Sequence, residues 1–135
     1  MALTRKSKFW IVFAGLVITI TTVLVIYENN MASKYDPLIN AQPNSVTIYS
    51  ASWCHPCKVL KTYLTAEGIA FKEYDVEESE EGYWGHRALY GRGVPVIVIG
   101  KEIFEGFPES GIPPAKMKAA LEKIKKANTP PNKTL

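Results

Sequence analysis

The sequence predicts an α/β domain with the element order β-α-β-α-β-β-α, carried behind one transmembrane helix. Three observations support this prediction. The residues from Phe9 to Tyr27 form an uncharged apolar run. After residue 44, short runs rich in β-branched and aromatic residues alternate with helical patterns. The two cysteines of the chain lie together at Cys54-His55-Pro56-Cys57, where the first strand pattern gives way to a helix.

The apolar run, residues 9–27, has the length and composition of a membrane span. A helix of this length rises about 28 Å, which is enough for the hydrocarbon core. Its threonines can bond the carbonyls of their own helix. A buried core helix would need a polar face, and the run has none. A cleaved signal peptide is the main alternative, but its apolar core is usually about 7–15 residues and ends at a small-x-small site. We therefore expect an uncleaved signal anchor.

Charge predicts the orientation of this anchor. The formal net charge is +3, and Arg5, Lys6 and Lys8 account for it, so the rest of the chain is balanced and basic charge does not indicate nucleic acid as a partner. Positive residues stay cytoplasmic, so residues 1–8 are predicted to be a cytoplasmic N-terminus. The predicted localisation is a bacterial inner membrane, crossed once, with the C-terminal domain in the periplasm. That compartment is oxidising.

The remaining elements follow in order along the chain. Residues 28–44 are polar, contain two prolines and are predicted to be a tether. Residues 45–126 form the predicted folded domain. Its strands are predicted over 45–50, 70–76, 94–99 and 102–105, and its helices over 58–67, over 77–90 and from Pro113 or Pro114 to 126. Residues 127–135 are predicted to be a flexible tail.

The Cys-x-x-Cys motif indicates thiol–disulfide chemistry. Only a thiolate attacks a disulfide, and a helix N-terminus stabilises a thiolate. Cys54, at the loop end of the motif, is predicted to be the exposed nucleophile. Cys57, one turn into the helix, is predicted to be more buried and to resolve the mixed disulfide. Pro56 rigidifies the first turn, and a charged His55 would stabilise the Cys54 thiolate.

The cysteine pair has two other interpretations. A closed zinc site needs four ligands, and outside the motif the chain offers only His86 as a further histidine. No metal is therefore predicted. An inert structural disulfide is the second alternative.

Together these features resemble the glutaredoxin branch of the thioredoxin fold, over about residues 45–126. The resemblance is carried by Cys-x-x-Cys after a strand and by Gly93-Val94-Pro95 before one. It implies that Pro95 follows a cis peptide bond beside the nucleophile. It also implies that the Val94 backbone is free to pair with a peptide or with glutathione.

Some details resemble particular members of this superfamily. The Trp-Cys-x-Pro-Cys pattern is similar to thioredoxin, which implies that Trp53 shields the disulfide and contacts partners. Gly106-Phe107 resembles the turn of NrdH-type redoxins and implies that Phe107 belongs to the same contact surface. Lys58 and Arg92 are candidate contacts for the carboxylates of glutathione.

The sequence therefore predicts a membrane-anchored thiol–disulfide oxidoreductase that exchanges disulfides with exported proteins. Its expected partners are protein disulfides and dithiols, the membrane, and a transmembrane electron donor or acceptor. The expected redox group is the Cys54–Cys57 disulfide, with glutathione as the candidate co-substrate. Two alternatives are a glutathione-dependent deglutathionylating enzyme and a non-catalytic module that delivers a metal through its thiols.

Overall fold

A computed structural model describes residues 5–128 of the chain. The chain divides into two units between Lys34 and Tyr35. The first unit is one helix, α1 (Arg5–Lys34), of 30 residues. Within the described residues, the α1 region alone is long and apolar enough to cross a membrane. The hydroxyls of its threonines donate to carbonyls one turn back in α1, as expected; they belong to Thr19, Thr21 and Thr22.

The predicted tether contains more helix than expected. α1 continues through the first seven residues of that segment, because they contain neither glycine nor proline. A second short helix, α2 (Pro37–Asn40), follows. It begins there because the Asp36 carboxylate accepts the Leu38 N–H at 2.8 Å and proline occupies the first turn. The segment predicted to be a tether is therefore partly helical.

The second unit has the predicted order of strands and helices. Its elements are β1 (Val46–Ser50), α3 (His55–Ala66), β2 (Lys72–Asp75), α4 (Glu80–Ala88), β3 (Val96–Ile99), β4 (Glu102–Glu105) and α5 (Ala115–Asn128). The strands form one sheet in the order β2-β1-β3-β4. β1 runs parallel to β2 and antiparallel to β3, and β4 is antiparallel to β3. The thioredoxin fold predicted from the sequence is confirmed.

Capping explains where the helices begin. α3 begins at His55, so the Cys-x-x-Cys motif opens this helix as predicted, and the Cys54 side chain caps it. α4 starts three residues late because the Asp75 carboxylate holds the preceding turn and Ser79 Oγ then accepts the Gly82 N–H at 2.9 Å. α5 continues to Asn128, two residues into the predicted tail. The rest of that tail, residues 129–135, and residues 1–4 of the predicted cytoplasmic N-terminus lie outside the described residues.

The core lies on both faces of the sheet. One face packs against α3 and α5, which bury leucine, methionine and isoleucine at helical spacing. The other face carries Tyr49, which stacks on Tyr74 and is buried against α4. Burial raises the pKa of the Tyr49 phenol above its usual range, so this ring stays neutral.

A polar link ties α3 to the edge of the sheet. Glu73 of β2 accepts hydrogen bonds from Lys61 of α3 at 2.8 Å and from the buried hydroxyl of Ser50 at 2.5 Å. Partial burial pushes the pKa of Glu73 upward, but the two hydrogen bonds together outweigh it and leave the pKa below its usual value. The charged carboxylate is therefore the form that stabilises the fold.

We predict that Glu73→Gln lowers the free energy of unfolding at pH 7 by about 0.5–1 kcal/mol, as for a partly exposed ion pair. Because the folded-state pKa is depressed, this contribution is present above the unfolded pKa of about 4.3 and is lost as pH falls through the folded pKa. Urea unfolding at pH 7 and at pH 3 measures it. Glu109→Gln, at an exposed loop position, is the control. A deficit equal at both pH values would contradict the prediction.

Candidate active site

The two cysteines form a disulfide at the N-terminus of α3. Cys54 is the N-cap residue, and its Sγ accepts the backbone N–H of Cys57 at 3.2 Å. The Cys54 N–H donates to the carbonyl of Ala51 at 3.0 Å and closes the loop that follows β1. An amide that points at Sγ and the positive end of the helix both favour a thiolate at Cys54 once the pair is reduced.

The burial of the pair differs from the prediction. Cys54 and Cys57 are each 1% exposed, whereas the sequence suggested that Cys54 would be the exposed member. The cause is local packing: both cysteines form a cluster with Ala51, and Val76 and Val94 pack against it. In the disulfide form the two residues are therefore equally buried, so position on the helix, and not exposure, is what distinguishes them.

Val94 and Pro95 lie next to the cysteine pair in the fold. Their peptide bond is cis. The Val94 side chain packs against the cysteine cluster, while Pro95 is fully buried and its carbonyl accepts the Gly106 N–H at 2.8 Å. β3 begins immediately afterwards at Val96. The structure therefore brings this pair to the disulfide.

Trp53, the residue before Cys54, is largely exposed. Its side chain is 66% exposed, and its indole N–H donates to both carboxylate oxygens of Glu77, at 3.0 and 3.1 Å. Glu77 was not a candidate from the sequence, because it lies in the turn after β2, far from the motif along the chain. Its carboxylate holds the indole while leaving a large apolar surface in water.

The other predicted residues are more dispersed. His55 and Lys58 are exposed, and Pro56 lies in the first turn of α3. Lys58 borders a shallow depression with other residues of α3 that does not include Arg92. Arg92 is exposed on the loop before Val94. The two candidate glutathione contacts therefore do not share this depression.

The prediction for Phe107 is wrong. This residue is 6% exposed and belongs to the main core. Its ring lies 5.9 Å from the Tyr63 ring, centroid to centroid. Gly106, with φ of +76°, turns the chain so that the next side chain points inward. Phe107 anchors the turn and is not available to a partner.

The described residues contain no group of three or more His, Cys, Asp or Glu side chains that could hold a metal ion. The chemistry that the site does offer is two-electron exchange between a dithiol and a disulfide.

Comparison with known proteins decides the family. Residues 46–104 match the glutaredoxin family model. The glutaredoxin-like protein NrdH of Lactococcus lactis subsp. cremoris is 35% identical over 65 residues, which cover 48% of this chain and 90% of that protein. The chain belongs to the glutaredoxin family. The resemblance found in the sequence is thereby confirmed, and with its Cys54–Cys57 pair this glutaredoxin is a thiol–disulfide oxidoreductase.

Two further similarities were found for this glutaredoxin. The Gene 56 protein of Mycobacterium phage L5 is 41% identical over 54 residues. The matched residues are 39% of this chain and 52% of that protein, so the chain spans about half of its length. A crystal structure of a buckwheat glutaredoxin–glutathione complex superimposes with a TM-score of 0.56 and 18% identity, covering 74% of this chain and 91% of that one. This second similarity supports the fold.

We predict that in the reduced protein Cys54 reacts with iodoacetamide about tenfold faster than Cys57 at pH 7, because the helix N-terminus favours its thiolate. Mass spectrometry of the alkylated peptides measures both rates. The single variants Cys54→Ser and Cys57→Ser assign each rate to one sulfur. Equal rates for the two cysteines would contradict the assignment of Cys54 as nucleophile.

Proposed function

We propose that this glutaredoxin is a membrane-anchored thiol–disulfide oxidoreductase that exchanges disulfides with exported proteins. The observation that carries the proposal is the placement of Cys54. Its sulfur caps α3 and accepts the Cys57 amide, and Val94 packs against the cluster that contains both cysteines. This arrangement favours a thiolate next to a backbone segment with which a peptide can pair.

The reaction needs only the two thiols and a substrate. The Cys54 thiolate attacks one sulfur of a substrate disulfide, forms a mixed disulfide and expels the other substrate sulfur as a thiolate. Cys57 then loses its proton to solvent, and its thiolate attacks Cys54 Sγ. The substrate is released with both sulfurs reduced, and the Cys54–Cys57 disulfide forms. The reverse sequence oxidises a substrate dithiol.

A protein substrate fits this surface better than glutathione alone. Trp53 presents a broad apolar face at the rim of the pair, and such exposed apolar surface is typical of interaction sites. Arg92 does not line the depression that Lys58 borders. We therefore place deglutathionylation second.

The long apolar helix supports the membrane part of the proposal. The α1 helix carries an uncharged stretch preceded by Arg5, Lys6 and Lys8, and positive residues remain cytoplasmic. The redox domain then faces the periplasm. Continued turnover there requires a second redox partner, a transmembrane donor or acceptor of electrons, to reset the cysteine pair.

We predict that Cys57→Ala accumulates mixed disulfides with periplasmic proteins, because Cys54 attacks and nothing resolves the product. Non-reducing electrophoresis and mass spectrometry of the membrane-tethered protein identify the partners. Cys54→Ala is the matched control and should trap none. Equal trapping by both variants would reverse the assigned roles.

Two further measurements separate the proposed function from deglutathionylation and from metal delivery. A deglutathionylating enzyme keeps its activity on a glutathione mixed disulfide in Cys57→Ser, because only the nucleophile is needed. A metal-delivery module binds copper or zinc stoichiometrically after purification under reducing conditions and does not turn over a peptide disulfide. Either result would replace the proposed function.

We predict that Ile18→Arg, at the centre of the apolar run, weakens membrane insertion, since arginine there costs about 2.5–3.5 kcal/mol. Carbonate extraction of membranes should leave the wild type and Ile18→Leu in the pellet and release part of Ile18→Arg. The intact mass of the pelleted wild type distinguishes an uncleaved anchor from a signal peptide. Full release of the wild type would refute the anchor.

A further inference from the structure

A histidine of α4 contacts the loop that carries Val94 and Pro95. His86 Nε2 lies 3.0 Å from the carbonyl oxygen of Gly93. A carbonyl oxygen only accepts, so Nε2 bears the proton and donates. We propose that His86 is a positioning residue that holds the Val94 backbone ready to pair with a substrate strand. This inference rests on the proposed function, because it assumes a substrate with a peptide backbone.

The geometry of one peptide group links His86 to the substrate. The described residues have a cis peptide bond only between Val94 and Pro95, so the Gly93–Val94 peptide is trans and planar. In such a group the C=O and N–H point in opposite directions. The hydrogen bond that directs the Gly93 carbonyl toward His86 therefore directs the Val94 N–H away from it. Loss of the bond would free this peptide plane to rotate.

The loop is shaped to receive the imidazole ring. A Cβ built on Gly91 would lie 2.6 Å from His86 Cδ2 and 2.8 Å from Cε1, and closer still to Nε2. Glycine at this position therefore lets the ring lie against the loop backbone. The Gly91 N–H also donates to the carbonyl of His86 at 3.1 Å. His86 therefore bonds the loop twice, through its backbone carbonyl and through its side chain.

The contacts on either side leave the Gly93–Val94 peptide as the adjustable part. Before it, the Gly91 amide is bonded to the end of α4; after it, the carbonyl of Pro95 is bonded to Gly106. The Val94 side chain packs against the cysteine cluster. Between these fixed points, His86 bonds the carbonyl of Gly93. The next residue along the chain carries the Val94 N–H, which would pair with a substrate.

The test compares two substrates of the full-length protein in detergent. His86→Leu keeps the bulk of the side chain and removes the donor. For a disulfide-containing peptide we expect KM to rise about three- to tenfold, the range of one neutral hydrogen bond, with a smaller change in kcat. For 2-hydroxyethyl disulfide, which has no backbone to pair, we expect no change. His86→Gln, which retains an N–H donor, should restore most of the peptide KM.

A second variant reaches the same contact without altering the histidine. Gly91→Ala places a methyl group where the ring lies and should raise the peptide KM as His86→Leu does. The double variant should be little worse than either single one, because both remove the same interaction. Glu81→Gln, at an exposed position of α4, is the matched control. Thermal unfolding of each variant checks that it is folded.

The outcomes separate this inference from the proposed function. An unchanged peptide KM in His86→Leu would overturn the role of His86, as would an equal loss with 2-hydroxyethyl disulfide or a failure of His86→Gln to recover. If His86→Leu does not fold, the peptide KM values of His86→Gln and Gly91→Ala are compared instead. Equal values for these two variants would overturn the role of His86. A wild type that turns over 2-hydroxyethyl disulfide but no peptide or protein disulfide would refute the proposed function instead.

Discussion

The active site depends on the antiparallel pairing of β1 with β3. This pairing places Tyr49 opposite Val96, so the end of β1 and the start of β3 lie side by side. The loop that leaves β1 leads into Cys54, and the segment that enters β3 is Val94-Pro95. Their meeting therefore follows from strand register alone. A slip of one residue would turn each side chain of the strand to the opposite face and would move Ile48 out of the cluster that it forms with α3 and α5, so the core that stabilises the sheet also fixes the site.

Much of this arrangement could be read from the chain. Alternating and β-branched residues identified the strands, and β4 has the predicted bounds. The cysteine pair could be predicted as the redox site because its chemistry depends on a local spacing at the start of a helix. Where prediction was less accurate, at the beginning of α4, the deciding feature was a cap. Cys54 and Ser79 each contribute a side-chain acceptor to the helix that follows, and such contacts extend a helix or delay it by a few residues.

The residues that were missed or wrongly placed depend on tertiary contacts. Glu77 reaches Trp53, and His86 reaches Gly93, only after the loops around the sheet have folded. Phe107 follows a glycine turn, and the sequence does not specify whether its ring points outward or inward. The fold decides, because space beside Tyr63 accepts the ring. The prediction that Cys54 would be exposed failed for a related reason, since Val76 and Val94 approach it from distant parts of the chain.

The burial of both sulfurs has a consequence for rate selectivity. A thiolate must approach a disulfide sulfur along the S–S axis, and in the oxidised protein the cluster around Ala51 covers both atoms. Small thiols that diffuse freely in solution would meet this barrier at every collision. Under the proposed function, a partner that first docks on Trp53 and the Val94 backbone would use its binding energy to open the approach. The burial of the disulfide therefore makes access, and not only the reactivity of the attacking thiol, a source of selectivity.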